Sequence, residues 1–342
     1  MRAVEMLKLP IDAVRVFSGA KSFQANAVLG SRRLNKLGLH TARVRASERM
    51  ADMRRKRLRD TVSADVRDQY AAKGYVRIDD FLPPDVFDGV RREIEDDFER
   101  YDMVQGGTIT RRAMIDARDL RSRPNLRAAR SDPRMPAIIR YVAGIGGAPL
   151  MTLQTVLARP SSDADPQTML HSDTFHSTAK AWLFLHDVGS DDGPFAYVPG
   201  SHRMTKERYE WERDLALAAR RNPNRYTARG SLRIAEDYLG TLGYGAPERI
   251  VVRGNTLIVA DTHGFHARAP SDRPTVRIEL YGSLRRNPFT PFNGLHVAAL
   301  PPVEAQTNRL IVHALAARKV LGGGTSPWLP RGSGPVREWP AT

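Results

Sequence analysis

Through the middle of the chain, apolar and polar positions alternate in short runs that end at Gly, Pro and Asp. The run 151–158 (MTLQTVLA) alternates and is rich in β-branched residues, so it predicts a strand. The runs 179–185 (AKAWLFL), 195–198 (FAYV), 250–253 (IVVR), 256–260 (TLIVA) and 275–281 (TVRIELY) predict further strands. Turn makers stand between them, among them Asp191–Pro194 (DDGP) and Pro199-Gly200. Many short strands set off by tight turns predict a mainly β protein with helical additions, an antiparallel sandwich or barrel of the jelly-roll type.

Helical patterns flank and interrupt that series. Ser63 is placed to cap a helix that runs to Gly74, and a second helix is expected from Pro84 to Phe98, ending in the acidic stretch 93–97 (EIEDD), read as a solvated face. Residues 203–248 carry a helical pattern rich in Arg and Glu between two strands, the place for a substrate-covering lid or for a plain buttress. Past residue 300, a helix from Glu304 to Leu321 gives way to Gly322 and a Pro/Gly/Ser-rich end, expected to be loose. The expected division is therefore 1–62, a basic helical extension; 63–300, the β domain with its insertion 203–248; and 301–342, a terminal helix and tail.

Composition narrows the classes. An apolar share of 41% over 342 residues supports a sizeable core. No apolar run approaches the ~18 residues a membrane-spanning helix needs. Glu5 and Asp12 stand where a signal peptide would require an apolar stretch, so a cytoplasmic location is expected. There is no cysteine, so His and carboxylates are the strong metal donors at hand. Charge is uneven: residues 1–60 hold 15 Lys/Arg against 5 Asp/Glu, out of a net +15 for the chain. That segment reads as short helices outside the core, either a solvated extension packed partly on the barrel or a basic amphipathic arm resting on an anionic membrane surface. Nucleic acid is the weaker reading, because no zinc finger, helix-turn-helix or aromatic-interleaved RNA motif accompanies the charge.

The candidate chemistry begins at His171 and Asp173, two positions apart and so able to share one face of a strand. Two imidazoles and one carboxylate make the set that holds non-haem Fe(II) while leaving coordination positions open. The third donor is His263 or His266, both just beyond the strand 256–260. Arg277 offers a fork of donors suited to a carboxylate, which points to a keto acid as cosubstrate. Gln154, on the strand before the pair, could donate to that cosubstrate or serve the sheet. His176 could line the mouth, whereas His186 and His202, at strand or turn ends, read as structural.

The segments HSDTFH (171–176), KAW (180–182) and GPFAYVPGSHR (193–203), together with GYVRIDDFLPP (74–84), resemble the phytanoyl-CoA dioxygenase family of Fe(II)/2-oxoglutarate oxygenases, over roughly residues 65–290. The resemblance implies a double-stranded β-helix (cupin-like) core, with His171, Asp173 and His266 as iron ligands. It also implies Arg277 as the 2-oxoglutarate anchor, eleven residues past the distal His. One position departs from the family: where members often carry a small hydroxyl residue two after that His, this chain has Arg268.

The implied reaction consumes O2 and 2-oxoglutarate, releases succinate and CO2, and hydroxylates an unactivated C–H bond. Because Asp173 is present, hydroxylation, desaturation or ring chemistry is expected rather than the halogenation of relatives that lack the carboxylate. The basic balance favours an anionic substrate, a lipid-like or CoA-linked molecule ahead of other small metabolites. The competing classes are a non-catalytic β-barrel that binds metal or ligand, and a nucleic-acid binder driven by the basic arm, whose affinity would fall steeply with salt.

Overall fold

Inward-facing apolar residues on alternate strand positions require a partner on each face of a sheet, and the chain supplies helices for one face and a second sheet for the other. The computed structural model describes residues 3–160, 165–292 and 327–339. Its helices are α1 (Ala3–Val14), α2 (Arg32–Lys36), α3 (Leu39–Leu58), α4 (Ala64–Lys73), α5 (Pro84–Glu93), α6 (Ala117–Ser122), α7 (Pro124–Ser131), α8 (Arg134–Ala143), α9 (Lys206–Ala218) and α10 (Arg225–Ala228). The strands are β1 (Tyr75–Ile78), β2 (Asp97–Gln105), β3 (Thr108–Met114), β4 (Leu150–Ala158), β5 (Ala179–Phe184), β6 (Phe195–Tyr197), β7 (Glu248–Ile250), β8 (Leu257–Asp261), β9 (His266–Arg268), β10 (Thr275–Leu284) and β11 (Leu329–Pro335). Eight of them form an antiparallel sheet in the order β1-β8-β5-β10-β4-β3-β2-β11, and β7-β6-β9 form a second. The expected class is observed: mainly β, with helical additions around a jelly-roll, cupin-like core.

Strand register sorts the side chains. One face of the large sheet carries Val76, Val259, Ala181, Leu183, Leu280 and Leu153, which bury against Met135, Ile138, Ile139 and Val142 of α8 in the principal core. The opposite face carries Tyr75, Ile258, Trp182, Phe184 and Tyr281, which meet Phe195, Tyr197 and Ile250 of the small sheet. On that face β10 presents Arg277, Glu279 and Tyr281, paired across to Val156, Gln154 and Thr152 of β4. The interior between the sheets therefore becomes polar toward one end.

Several elements match the sequence pattern and others depart from it. Ser63 caps α4 by accepting from Val66 N, and Gly74 ends it at φ +86°, where a Cβ would also lie 2.4 Å from the His202 ring. The helix from Pro84 stops at Glu93 instead of reaching Phe98. Glu93 is not a solvated acid, since its carboxylate accepts from Asn125 N and Leu126 N at the start of α7. Residues 97–114 form a hairpin turning on Gly106 and Gly107, both at positive φ. The chain end read as loose is ordered at Leu329–Pro335, which pairs with β2 as an edge strand. The helix expected over Glu304–Leu321 lies outside the described residues.

The basic N-terminal segment is helical, and many of its cations are used internally. Arg43 donates to Val16 O, Ser18 O and Ala20 O. Arg54, 2% exposed, donates to Gly144 O at 2.6 Å and Pro288 O at 2.9 Å. Among the described residues no helix is long and apolar enough to cross a membrane.

One buried ion pair ties this segment to the 203–248 region. Glu212 of α9 accepts from Arg208 Nε at 3.0 Å and lies 2.8 Å from His40 Nε2 of α3. Burial alone would raise the Glu212 pKa, but Arg208 and then His40 overcome it and hold the group at about 2, against the ordinary 4.5. A depressed carboxylate stabilises the fold above its ordinary pKa and loses that contribution as pH falls through the folded value. The difference is worth about 3 kcal/mol at neutral pH. Glu212→Gln is thus expected to lower stability by roughly that amount in urea melts at neutral pH, with the gap closing as pH falls from 4.5 toward 2. Equal melts at neutral pH would contradict this.

Candidate active site

The first ligand pair does not arise from a strand pleat. His171 lies outside the named strands and makes isolated bridges with His266 and Arg233. His171 N donates to His266 O at 3.0 Å and His266 N to His171 O at 2.9 Å, so the two imidazoles are direct cross-chain neighbours. Their ring centroids are 4.4 Å apart. Asp173 N donates to Thr262 O at 2.8 Å, which returns the carboxylate to the same place. Gly264 makes the approach of β9 feasible: a Cβ there would fall 1.9 Å from the Tyr197 hydroxyl.

Donor atoms of His171, Asp173 and His266 all lie within 4.8 Å of one another, a group able to hold a metal ion. His171 Nε2 is 3.7 Å from Asp173 Oδ1, and His266 Nε2 is 3.8 Å from Asp173 Oδ2. Each imidazole has its Nδ1 beside a carbonyl oxygen, Met169 O at 2.8 Å and Gly264 O at 2.9 Å. A carbonyl only accepts, so Nδ1 carries the proton and Nε2 presents its lone pair to the shared point. His266 Nε2 is buried without a hydrogen-bond partner, which fits a nitrogen whose lone pair serves a metal; His263 Nε2 is likewise unpartnered but lies outside the donor group.

The electrostatics suit a cation. Burial first, and then mutual repulsion and Arg233, push His171 well below its ordinary pKa, while burial brings His266 to about 4, so both are neutral at physiological pH. Burial acts to raise Asp173, but Lys180, His266 and His171 outweigh it and hold the carboxyl well below the usual range. Lys180 Nζ sits 2.6 Å from Asp173 Oδ2 and fixes that carboxylate's orientation.

A cavity of about 170 Å³ opens beside the two imidazoles, lined among others by Gln154, Lys180, Trp182, Arg268, Arg277 and Tyr281. At ~30 Å³ per water it has the volume of five or six waters, the scale of a small dicarboxylate. Arg277 points into this space with its Nε 2.5 Å from Glu279 Oε1 and its Nη1 donating to Gly193 O at 2.7 Å. Gln154 Nε2 donates to Glu279 Oε2 at 3.1 Å. Arg268 pairs with Asp165 and donates to Thr108 Oγ1 at 2.8 Å. A larger cleft of about 640 Å³, lined by Arg45, Glu48, Arg55 and Tyr209, contains none of the three donors.

His263, the competing third ligand, is buried elsewhere, with Nδ1 3.0 Å from Thr174 O, and is not in the donor group. His176 is buried with Nδ1 2.9 Å from Ser177 O. Sequence reading missed Lys180, Glu279 and Lys21. The alternation Lys180, Trp182, Phe184 and Arg277, Glu279, Tyr281 was a usable signal for the first two. For Lys21, whose Nζ donates to the Asp173 carbonyl from a distant loop, no local signal exists.

Fold and donor set together define a cupin-like barrel with a two-histidine, one-carboxylate centre. Residues 70–232 match the model of the phytanoyl-CoA dioxygenase (PhyH) family, the family that the sequence motifs resemble. That span includes His171 and Asp173; His266 and Arg277 lie beyond it and are joined to the site by the fold. No curated protein matches the chain. Among solved structures, HygX from Streptomyces hygroscopicus with nickel and 2-oxoglutarate bound is 18% identical, covering 70% of this chain and 92% of that one at a TM-score of 0.43. The non-heme alpha ketoglutarate dependent epimerase SnoN from nogalamycin biosynthesis is 18% identical over 64% of this chain and 80% of its own, at 0.39. AviO1 from Streptomyces viridochromogenes Tue57 is 13% identical over 64% and 92%, also at 0.39.

Proposed function

We propose that this chain is an Fe(II)- and 2-oxoglutarate-dependent oxygenase that hydroxylates an unactivated C–H bond of a small, lipid-like or CoA-linked substrate. The observation that carries the reading is the convergence of the His171, Asp173 and His266 donor atoms within 4.8 Å. The family match over residues 70–232 supports it.

Bound there, Fe(II) with O2 and 2-oxoglutarate supplies the oxidant for R–H + O2 + 2-oxoglutarate → R–OH + succinate + CO2. The protein's part is to hold and to exclude. His171 and His266 stay neutral because they are buried, and stay oriented because their Nδ1 protons are engaged by carbonyls. Asp173 contributes the third donor, steadied by Lys180. With three protein donors, the residues would hold Fe(II) without filling its coordination, which would leave it free to take the cosubstrate. Arg277 would pair with the distal carboxylate of 2-oxoglutarate through its planar fork, since a buried carboxylate without such a partner costs several kcal/mol. Glu279 holds Arg277 and Gln154 in place. Trp182, Phe184 and Phe195 wall the cavity and keep bulk water from the reacting groups.

The test is O2-dependent release of succinate on adding Fe(II), ascorbate and 2-oxoglutarate to the full chain. Activity is expected in the native protein and none in His171→Ala. No turnover from a folded, iron-loaded protein would favour a non-catalytic barrel.

A second reading concerns location. Ile11, Val14, Phe17 and Leu37 are 56–85% exposed in a segment that also carries Lys8, Arg15, Arg32, Arg33 and Lys36. Apolar side chains beside cations suit peripheral contact with an anionic bilayer. Phe17→Asp with Leu37→Asp is expected to reduce sedimentation with phosphatidylserine-containing vesicles at least severalfold. Unchanged sedimentation would remove the idea.

A further inference from the structure

Asp173 sits among cations drawn from separate parts of the chain. Lys180 approaches its side chain at 2.6 Å. Lys21, in the loop between α1 and α2, donates through Nζ to the Asp173 carbonyl. Arg233, bridged through its backbone to His171, donates to Ser231 Oγ at 2.7 Å and lies 4.7 Å over the Tyr226 ring. Arg285, just past β10, donates to Gly19 O at 2.9 Å, which brings it to the same loop as Lys21. Ser231 Oγ in turn donates to Ser172 O at 2.9 Å, so Arg233 reaches the backbone next to Asp173, where Lys21 also makes its contact.

The charges do not balance. Among the described residues Asp173 is the one carboxylate that acts on Lys21, Arg233 and Arg285 alike. Lys180 already engages that carboxylate, and a metal ion at the three donors would claim it as well. Lys21, Arg233 and Arg285 would then stand as three uncompensated cations beside a further positive ion. Lys21 and Arg233 are half-buried, where like charges are unfavourable unless an anion joins them, and the exposed Arg285 meets them from the solvent side. The missing anion is not the cosubstrate's distal carboxylate, because none of the three lines the cavity that holds Arg277. Asp173 remains 25% exposed, so this side of the site is open to a ligand.

We propose that Lys21, Arg233 and Arg285 form the substrate-recognition face and take a phosphate monoester carried by the substrate, which sets its oxidisable carbon near the metal. This rests on the oxygenase reading and names its substrate class. A phosphate monoester carries about two negative charges near neutral pH and three acceptor oxygens, which matches three cations better than a single carboxylate. Guanidinium forks suit phosphate geometry, and a lysine adds a point charge. Lys21, Arg233 and Arg285 all lie outside the stretch matched by the family model, 70–232.

The experiment uses the full chain with Ni(II) and 2-oxoglutarate, measuring Ni(II) content and the binding of inorganic phosphate by calorimetry. Vesicles of phosphatidate in phosphatidylcholine, against phosphatidylcholine alone, serve as the second probe. Phosphate binding is expected in the native protein. Lys21→Met, Arg233→Gln and Arg285→Gln, each measured at saturating Ni(II), should each weaken it about tenfold or more. Lys21→Arg should restore it, which separates lost charge from lost fold, and Arg277→Gln should leave it intact. Binding to phosphatidate vesicles without binding of free phosphate, lost in the same variants, assigns the phosphate to a lipid headgroup. No binding of either probe, or binding indifferent to all three cations, overturns the proposal. Phosphate held by the three cations in a protein that takes no Ni(II) keeps the anion site and sinks the oxygenase reading instead.

Discussion

His266→Ala is expected to abolish metal binding and succinate release together, while His263→Ala keeps one metal per chain. The two histidines are three positions apart and both fully buried, yet they serve different places. His266 Nε2 faces Asp173 at 3.8 Å with its Nδ1 secured by Gly264 O. His263 turns its Nδ1 to Thr174 O, and its own carbonyl accepts from Arg208 Nη2. Disturbing an outer partner of a ligand typically costs 10–100-fold in metal affinity, so deleting the ligand should cost more than ~100-fold. His263→Ala should show instead the few kcal/mol of a buried cavity, read in a urea melt. Metal content and turnover measured on both variants decide the matter. Retention by His266→Ala with loss by His263→Ala would reverse the assignment.

Arg277→Gln carries the second large effect. A buried carboxylate deprived of its guanidinium loses roughly 3–5 kcal/mol, or about two to three and a half orders of magnitude at ~1.4 kcal/mol per tenfold. The KM for 2-oxoglutarate should rise by that factor with metal stoichiometry unchanged. Arg277→Lys should recover only part, because an ammonium cannot reproduce the planar fork. Arg277 also holds the carbonyl of Gly193 and the carboxylate of Glu279, so a purely structural role is the alternative. That role would lower stability and kcat without a selective rise in KM. An unaltered KM would contradict the anchor.

The barrel strands were legible because each alternates between two buried faces of different character. Residues 150–158 and 275–284 stand close to where the pattern placed them. The hairpin 97–114 was hidden by reading the acids after Glu93 as a continuing helix, although Gly106-Gly107 between two alternating runs is a hairpin signature. β11 was illegible for a physical reason: Leu329–Pro335 contains two prolines and two glycines, and only the edge of a sheet tolerates such a strand.

The N-terminal segment shows the same limit differently. The inward stripe of α3 comprises His40, Arg43, Val44, Ser47, Ala51, Arg54 and Leu58, at helical spacing but with four polar members. Hydropathy therefore marked it as solvated, whereas Arg43 and Arg54 are buried on backbone carbonyls. At the site, the pair His171 and Asp173 and the Arg277 position were visible in sequence. Lys21 was not, because only the tertiary fold brings it to Asp173, 152 positions away.

X-ray absorption at the iron edge of the anaerobically loaded full chain tests the central claim most directly. The arrangement predicts one Fe(II) per chain, bound by two imidazole nitrogens and oxygen donors at about 2 Å, with the imidazole signal halved in His171→Ala if that variant retains any iron. Iron bound without imidazole scattering, or a spectrum unaffected by His171→Ala, would contradict it.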